Sequence, residues 1–261
     1  MEVEVRLLKQ PELRKPCIVS GLPGIAYVGK LSVDHLVQTL HAELFGEVYS
    51  KFFPPYVLIG KDGIVELLRN ELYSWKNKES ERDLIFFTGN AQAVTPEGQY
   101  LMADKVLDTA MRLGAERIYS VAAFVTDRVI DTPRVYGAAT EEALIDEFKR
   151  QGVLVMEEGP IGGVNGLIFG LAKVKKLQGV CLLGETYGYT TVSGQYLVDA
   201  NAGRAVLEVL SKMLNVKVDL SPLDRQVEQM KEAIKRMAEI EEYAIKKTEE
   251  AAAKGYKNYI T

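Results

Sequence analysis

Residues 17–41, CIVSGLPGIAYVGKLSVDHLVQTLH, decide the fold class of this chain. The first four, CIVS, form a short and mostly apolar run that is typical of a strand covered on both faces. A turn rich in glycine and proline follows, and residues 25–41 then place apolar side chains at helical spacing. The stretch therefore predicts a strand, a tight turn and a helix, which is the unit that builds parallel sheets.

The same unit recurs along the chain. Continuous runs of Val, Ile, Leu and Phe, such as DLIFFTG at 83–89 and GVCLLGE at 179–185, alternate with amphipathic segments. Residues 42–76 differ, because the pieces PPYVLIG and GIVELLRNELYSW predict antiparallel strands or a hairpin. The other predicted strands are 3–8, 17–21, 116–124 and 152–158, and the other predicted helices are 97–113, 141–150, 164–176 and 194–214. This alternation predicts an α/β fold with a mostly parallel central sheet.

The composition is that of an ordinary globular protein. The chain has 261 residues, of which 47% are hydrophobic and 26% charged, and this length allows one large domain or two small ones. The net charge is −4, whereas nucleic-acid-binding domains usually carry a basic excess. No stretch approaches the roughly 20 apolar residues that span a bilayer, and the N-terminus lacks the order of a signal peptide. We therefore expect a cytoplasmic protein with neither nucleic acid nor membrane as a partner.

The last forty residues change character and predict one long helix. Ser221 is a favoured cap, Pro222 a favoured first residue, and no strong breaker follows until Gly255. The predicted organisation is an α/β core at 1–221, an amphipathic helix at 222–254 and a flexible tail at 255–261.

Apolar residues recur inside this helix at the alternating four- and three-residue spacing of a coiled-coil seam. They are Leu223, Val227, Met230, Ile234 and Met237. Such a helix either folds against the body or projects from it and contacts other subunits. Half of its circumference is charged, which favours the projecting form. Because an exposed apolar seam seeks a partner, we expect a homo-oligomer.

Two glycine-rich loops precede predicted helices, SGLPGIAYVGK at 20–30 and EEGPIGGVNGLIFGLAK at 157–173. Loops in this place can bind an anion through backbone N–H groups. Neither loop fits G-x-G-x-x-G or G-x-x-x-x-G-K-[ST], however, so close packing is the favoured interpretation of both. Ligands of open α/β sheets bind at the carboxyl ends of the strands. The candidate residues for a ligand crevice there are Gly21, Gly24, Gly162, Gly163 and Glu185.

Residues for catalysis or metal binding do not form a recognisable set. Cys17 and Cys181 lie in apolar runs, which is typical of buried thiols rather than of nucleophiles. His35 and His41 are six residues apart, so they do not share a helix face, and no zinc-ligand spacing occurs. The loop at 125–134 carries several charges but no nucleophile and base. We expect no catalytic residue, no metal and no cofactor.

Five segments together indicate a family resemblance. They are GLPGIAYVGKLSVDHLV, TPEGQY ahead of a helix, DTPRVYGAAT, GPIGGVNGLIFGLAK and LLGETYGY. Their order and spacing over residues 1–221 resemble the archaeal branch of the proteasome assembly chaperone family. The resemblance implies a three-layer α/β/α domain related to nucleoside phosphorylases, without the active site of those enzymes. It also implies a binding protein whose partners are the α-subunits of the core proteasome or the ring they form.

The resemblance implies a role for the C-terminus as well. Proteasome activators and several assembly chaperones end in a hydrophobic–Tyr–any tripeptide, which enters pockets between α-subunits. This chain ends in Tyr259, Ile260 and Thr261, with Tyr259 at the hydrophobic position and Ile260 at the tyrosine position. The tails of a homo-oligomer are therefore expected to bind the α-ring. The alternative class is an enzyme that binds a nucleotide or nucleoside in the glycine-rich crevice.

Overall fold

The computed structural model describes residues 2–190 and 194–257. Within these residues, nine strands form the main sheet and two form a separate hairpin. The strands are β1 Val3–Leu7, β2 Cys17–Ser20, β3 Glu43–Ser50, β4 Val57–Ile59, β5 Val65–Leu67, β6 Asn70–Trp75, β7 Leu84–Gly89, β8 Arg117–Val125, β9 Val135–Ala139, β10 Leu154–Val155 and β11 Gln178–Thr186. The helices are α1 Val28–Thr39, α2 Pro96–Arg112, α3 Glu142–Lys149, α4 Gly163–Val174, α5 Ala200–Leu214 and α6 Ser221–Lys257, and a 3₁₀ turn, Ile25–Tyr27, precedes α1.

The main sheet is parallel at its centre and mostly antiparallel at its sides, where only the edge strand β10 pairs in parallel, with β9. Its order is β1-β3-β6-β7-β2-β8-β11-β9-β10. Strands β7, β2, β8 and β11 run in one direction, and Ile18 of β2 lies opposite both Ile85 of β7 and Ile118 of β8. Strands β6, β3 and β1 continue the sheet in antiparallel pairs, and β9 is antiparallel to β11. The α/β fold is confirmed. The two pieces predicted as antiparallel strands or a hairpin within residues 42–76 form the hairpin and β6, and β3 is a further antiparallel strand of that stretch.

Helices cover both faces of the main sheet and complete three layers. Side chains of α1, α3 and α5 form one core with one face of the strands, whereas α2 and α4 form the second core with the other face. All four residues of β2 are buried. Cys17 and Val19 belong to the first core and Ile18 to the second, because successive side chains of a strand point to opposite faces. The continuous apolar runs of the sequence are explained by this cover on both sides.

Several local predictions differ from the structure. The strand predicted at 152–158 is only Leu154–Val155, and residues 25–27 form the 3₁₀ turn ahead of α1. Strand β9 was not expected, since its sequence VYGAA is short and diluted by Gly and Ala. Helix α5 begins at Ala200 rather than at residue 194, because the side chain of Asp199 accepts the N–H of Ala202 at 2.9 Å and caps the helix there. Helix α6 continues through Gly255 to Lys257 instead of ending at residue 254. A single Gly inside a helix lowers its stability by only about 1 kcal/mol relative to Ala, which is too little to end the helix at Gly255.

Helix α6 is the longest element. It has 37 residues and extends over about 55 Å at 1.5 Å per residue. No helix in the described part of the chain combines the length and the apolar character that crossing a membrane requires.

Candidate functional site

A cavity of 280 Å³ lies at the carboxyl ends of β2 and β8, where the two glycine-rich loops meet. Gly24, Gly162 and Gly163 line it, so three of the five crevice residues predicted from the sequence come together. Gly21 and Glu185 do not line this cavity. Its remaining wall includes Ala122 and Ala123 of β8 and the side chains of Gln92 and Asn165.

Asn165 holds the two glycine-rich loops to each other. The residue is 4% exposed, and it lies in the first turn of α4. Its Oδ1 accepts the N–H of Leu22 at 2.9 Å, and its Nδ2 donates to the carbonyl of Leu22 at 3.0 Å. One side-chain amide thus satisfies both backbone groups of a buried residue in the other loop, as a neighbouring strand would.

Gln92 makes a second connection between the same loops. Its Oε1 accepts the N–H of Val164 at 2.7 Å, and its Nε2 donates to the carbonyl of Pro23. The N–H of Val164 is one of the unpaired donors that a helix N-terminus offers to an anion. Since Gln92 already occupies it, the geometry favours the packing interpretation of these loops. Sequence reasoning missed both amides; the Asn inside GPIGGVNGL was the signal that could have drawn attention.

Steric contacts explain three of the glycines. A Cβ at Gly21 would lie 2.2 Å from the carbonyl oxygen of Gly29, and one at Gly29 would lie 2.5 Å from that of Val121. A Cβ at Gly166 would come within 2.0 Å of the carbonyl oxygen of Ile161. These residues are glycines because neighbouring backbone approaches them closely. Gly162 differs, since no atom lies within 4 Å of its Cβ position.

Glu185 lies in β11, one residue before its end, and its buried carboxylate pairs with Arg134, whose side chain is 47% exposed. The Glu185 side chain is 1% exposed, and it accepts from Nη2 and Nε of Arg134 at 2.5 and 2.9 Å and from the Arg134 N–H at 3.1 Å. The hydrogen bonds from Arg134 lower the pKa of Glu185. All contacts of the carboxylate thus hold the charged loop at 125–134 onto the sheet, which favours a structural role over ligand binding.

The two cysteines and His35 have structural surroundings, whereas His41 is exposed. Cys17 and Cys181 are buried, and burial raises the pKa of both thiols, that of Cys181 to about 11. A thiol of this kind is mostly protonated at neutral pH and is a poor nucleophile. His35 Nε2 lies 2.7 Å from the carbonyl oxygen of Asp219, which anchors the segment ahead of α6. The described residues contain no group of His, Cys, Asp and Glu that could hold a metal ion.

Helix α6 begins against the body. Leu223 is fully buried and Val227 is 6% exposed, and Arg204 of α5 pairs with Asp224 at 2.5 Å. Leu223 belongs to the same core as α1 and α5. The assignment of Leu223 and Val227 to an intersubunit seam is therefore corrected, because residues buried in their own chain cannot also line a contact with another.

The described side chains of α6 after Val227 are exposed or partly exposed. Residues 228–236 include no buried side chain, and Met230 and Ile234 are partly exposed. These two keep their predicted place in an oligomerisation seam. The side chain of Met237 lies outside the described part of the chain, and so do Tyr259, Ile260 and Thr261 of the predicted partner-binding tail.

Comparison with known proteins gives consistent results. The model of the PAC2 family matches residues 18–238. An uncharacterized protein of Methanocaldococcus jannaschii, MJ1210, is 32% identical over 248 residues, which are 94% of this chain and 92% of that protein.

Two solved structures from Pyrococcus furiosus are similar over nearly their whole length. PbaB, described as an archaeal proteasome activator, has a TM-score of 0.83 at 35% identity, and the match covers 91% of this chain and 99% of that one. PbaA, described as an archaeal homologue of a proteasome-assembly chaperone, has a TM-score of 0.74 at 28% identity, with 95% and 97% covered.

Proposed function

The chain belongs to the PAC2 family, and from that premise we propose that it binds core proteasome α-subunits or their ring through the C-terminal tails of a homo-oligomer. Membership confirms the resemblance to the archaeal proteasome assembly chaperones. The observation that carries the proposal is the similarity to PbaB, since it extends over 99% of that activator's chain. The role is one of binding, as in a chaperone or activator, rather than of catalysis.

The anchoring of α6 supports this proposal. Leu223 and Val227 fix the first two turns in the body, and the pair of Arg204 with Asp224 adds a polar contact. Beyond Val227 the described side chains of the helix face solvent or are only partly covered. A helix about 55 Å long that is held at one end can present the residues after Lys257 at a distance from the body. The tail of each subunit is thereby offered to a large partner.

The chemistry of the last three residues fits insertion into a pocket. Tyr259 supplies an aromatic ring, Ile260 an aliphatic side chain and Thr261 the terminal carboxylate. Burying the two apolar side chains would stabilise the complex by roughly 1.5–3 kcal/mol each. Several tails on one oligomer would bind more tightly than one, because each later contact is intramolecular.

The test compares three forms of the full-length protein for binding to purified α-rings. A variant that lacks residues 259–261 should bind about a hundredfold more weakly than the intact chain. The matched control Asn258→Ala changes a residue next to the motif and should bind like the intact chain. Equal binding by the truncated form would contradict the role of the tail. If no form binds, the proteasome is not the partner.

The alternative, an enzyme that acts on nucleotides or nucleosides, has the 280 Å³ cavity as its support. A thermal-shift panel of nucleotides, nucleosides and phosphate distinguishes the two functions. A ligand at ten times its dissociation constant would stabilise the protein by about 1.4 kcal/mol. We expect no shift with any of them. A saturable shift that Gly162→Val removes would favour the enzyme instead.

A further inference from the structure

Strands β4 and β5 form a two-stranded hairpin outside the main sheet. Every residue from 55 to 67 is exposed. An isolated hairpin is at best marginally stable in water unless one of its faces packs against another element. Within the described chain this hairpin has no such cover, which is unusual for a segment so rich in apolar residues.

One face of the hairpin is entirely apolar. The register pairs Val57 with Leu67 and Ile59 with Val65, so these four side chains share a face. Their exposed fractions are 46%, 63%, 65% and 59%, respectively. Leu58 pairs with Glu66 on the opposite face, which places the single charge of the two strands away from the apolar one. We call the face of Val57, Ile59, Val65 and Leu67 the hairpin face.

The edge strand β1 of the main sheet shows how charged residues can prevent association through exposed backbone. In β1, Val3 and Val5 pack against the core, and Glu4 and Arg6 alternate with them. Charged residues of this kind hinder association through an exposed strand. The hairpin face has no charged residue, so nothing in its sequence opposes association.

We propose that the hairpin face packs against the same face of a second copy of this chain. Two uncharged faces can meet about 10 Å apart, as stacked sheets do, without burying a charge. Glu66, which pairs with Arg69 at 2.8 Å, then lies outside the contact in both copies. The turn carries Lys61 and Asp62, whose opposite signs allow two turns to lie side by side without repulsion. Contact of a surface with its own copy is the pattern of a two-fold dimer.

A groove beside the hairpin extends the contact. It has a volume of 430 Å³, and Val57 and Leu67 of the hairpin face line it together with Phe53 and Leu68. The charged residue of its lining, Lys51, already pairs with Glu2. Because two residues of the hairpin face line the groove, a second hairpin that packs on that face reaches it too. The inference deepens the proposed function, since it rests on the homo-oligomer and assigns the surface that forms it.

Two matched lysine variants test the proposal. Ile59→Lys places a charge on the hairpin face, whereas Leu58→Lys places the same charge on the opposite face of the same strand. Both residues are exposed, so both variants should fold and melt like the wild type. We expect Ile59→Lys to raise the dissociation constant of self-association at least about tenfold by sedimentation or light scattering, and Leu58→Lys to leave it unchanged. Equal masses for the two variants would overturn the proposal, as would a monomeric wild-type protein.

Chemical cross-linking provides the second measurement. Cys17 and Cys181 are buried, so a thiol reagent reacts mainly with an introduced surface cysteine. Because the two faces are about 10 Å apart, too far for a direct disulfide, a short bis-maleimide is used: Ile59→Cys should form a cross-linked dimer, and Leu58→Cys should not. If Ile59→Lys kept its mass but lost binding to α-rings, the face would belong to the proteasome and the proposal would fail. Removal of residues 259–261 should weaken ring binding about a hundredfold and leave the mass unchanged, which separates failure of the hairpin from failure of the tail.

Discussion

The side-chain amide of Asn165 forms two hydrogen bonds to the backbone of Leu22, at 2.9 and 3.0 Å, across 143 residues of sequence. The pair joins the loop after β2 to the start of α4. It therefore determines how the two glycine-rich segments meet at the carboxyl edge of the sheet. Since both backbone groups of Leu22 are buried, removing the amide leaves them without partners in the protein.

Replacement of Asn165 tests the strength of this connection. Asn165→Ala should lower the free energy of unfolding by about 2–4 kcal/mol, because a buried donor and a buried acceptor are both left unsatisfied. Asn201→Ala is the matched control, since Asn201 makes one exposed hydrogen bond, to the carbonyl of Asp131, and should cost less than about 1 kcal/mol. Urea unfolding monitored by circular dichroism measures both. Equal losses would show that the amide does not hold the loops.

Replacing two of the glycines by alanine tests which of them are required by close packing. In an ordinary helix Gly→Ala stabilises by about 1 kcal/mol, but at Gly29 the new Cβ would meet the carbonyl oxygen of Val121 at 2.5 Å. Gly29→Ala should therefore destabilise by roughly 1–3 kcal/mol. Gly162→Ala has open space around it and a φ of −83°, so it should be neutral or slightly stabilising. Thermal unfolding decides, and a stabilised Gly29→Ala would contradict the close packing of α1 on β8.

The ion pair of Arg134 and Glu185 predicts a dependence on pH. The pKa of Glu185 is lowered, first by the hydrogen bond from Arg134. A lowered pKa stabilises the fold above the ordinary carboxyl pKa of about 4.3, and this contribution is lost as the pH falls through the lowered value. In Arg134→Met the buried carboxylate has no cation, so burial raises its pKa and its charged form becomes costly, whereas the protonated form that acid favours needs no cation. The Tm penalty of Arg134→Met should thus be larger at neutral pH than near about pH 4.

The control for this prediction is a more exposed pair. Arg204 contacts Asp224, whose side chain is 54% exposed, so Arg204→Met should cost little at either pH. A loss of Tm in Arg134→Met that does not change with pH would mean that Arg134 does not stabilise the ionised form of Glu185.

The sequence predicted the central strands because a continuous apolar run has few alternatives, as at residues 83–89 and 179–185. It did not predict β9, whose Gly and Ala resemble a loop. The sequence could not predict the contact of Asn165 with Leu22, because no local pattern indicates a hydrogen bond between residues 143 positions apart. Local sequence placed Glu185 at the end of its strand, where the structure has it, opposite Phe124 and one residue before β11 ends. It did not predict that Arg134 would occupy the carboxylate.

Two apolar residues of α6 should differ although both belong to the predicted seam. Leu223 is fully buried in the core, so Leu223→Ala should lower the free energy of unfolding by about 2–5 kcal/mol. Ile234 is partly exposed, and Ile234→Ala should cost less than about 1 kcal/mol in dilute protein. Chemical unfolding at low concentration compares them. If both cost the same, the outer half of α6 packs as firmly as its start.

The two proposals together predict how oligomer and tail cooperate. Ile59→Lys leaves every tail intact, yet a dissociated protein offers one tail where the oligomer offers several. Its affinity for α-rings should therefore fall by about a hundredfold, within the range that loss of multivalency produces. Leu58→Lys should bind like the wild type, and Tyr259→Ala should weaken binding without changing the mass. The measurement is equilibrium binding to α-rings in solution with the mass of each variant determined at the same concentration. A dissociated Ile59→Lys that binds as tightly as the wild type would show that a single tail suffices, and the avidity of the oligomer would have no part in recognition.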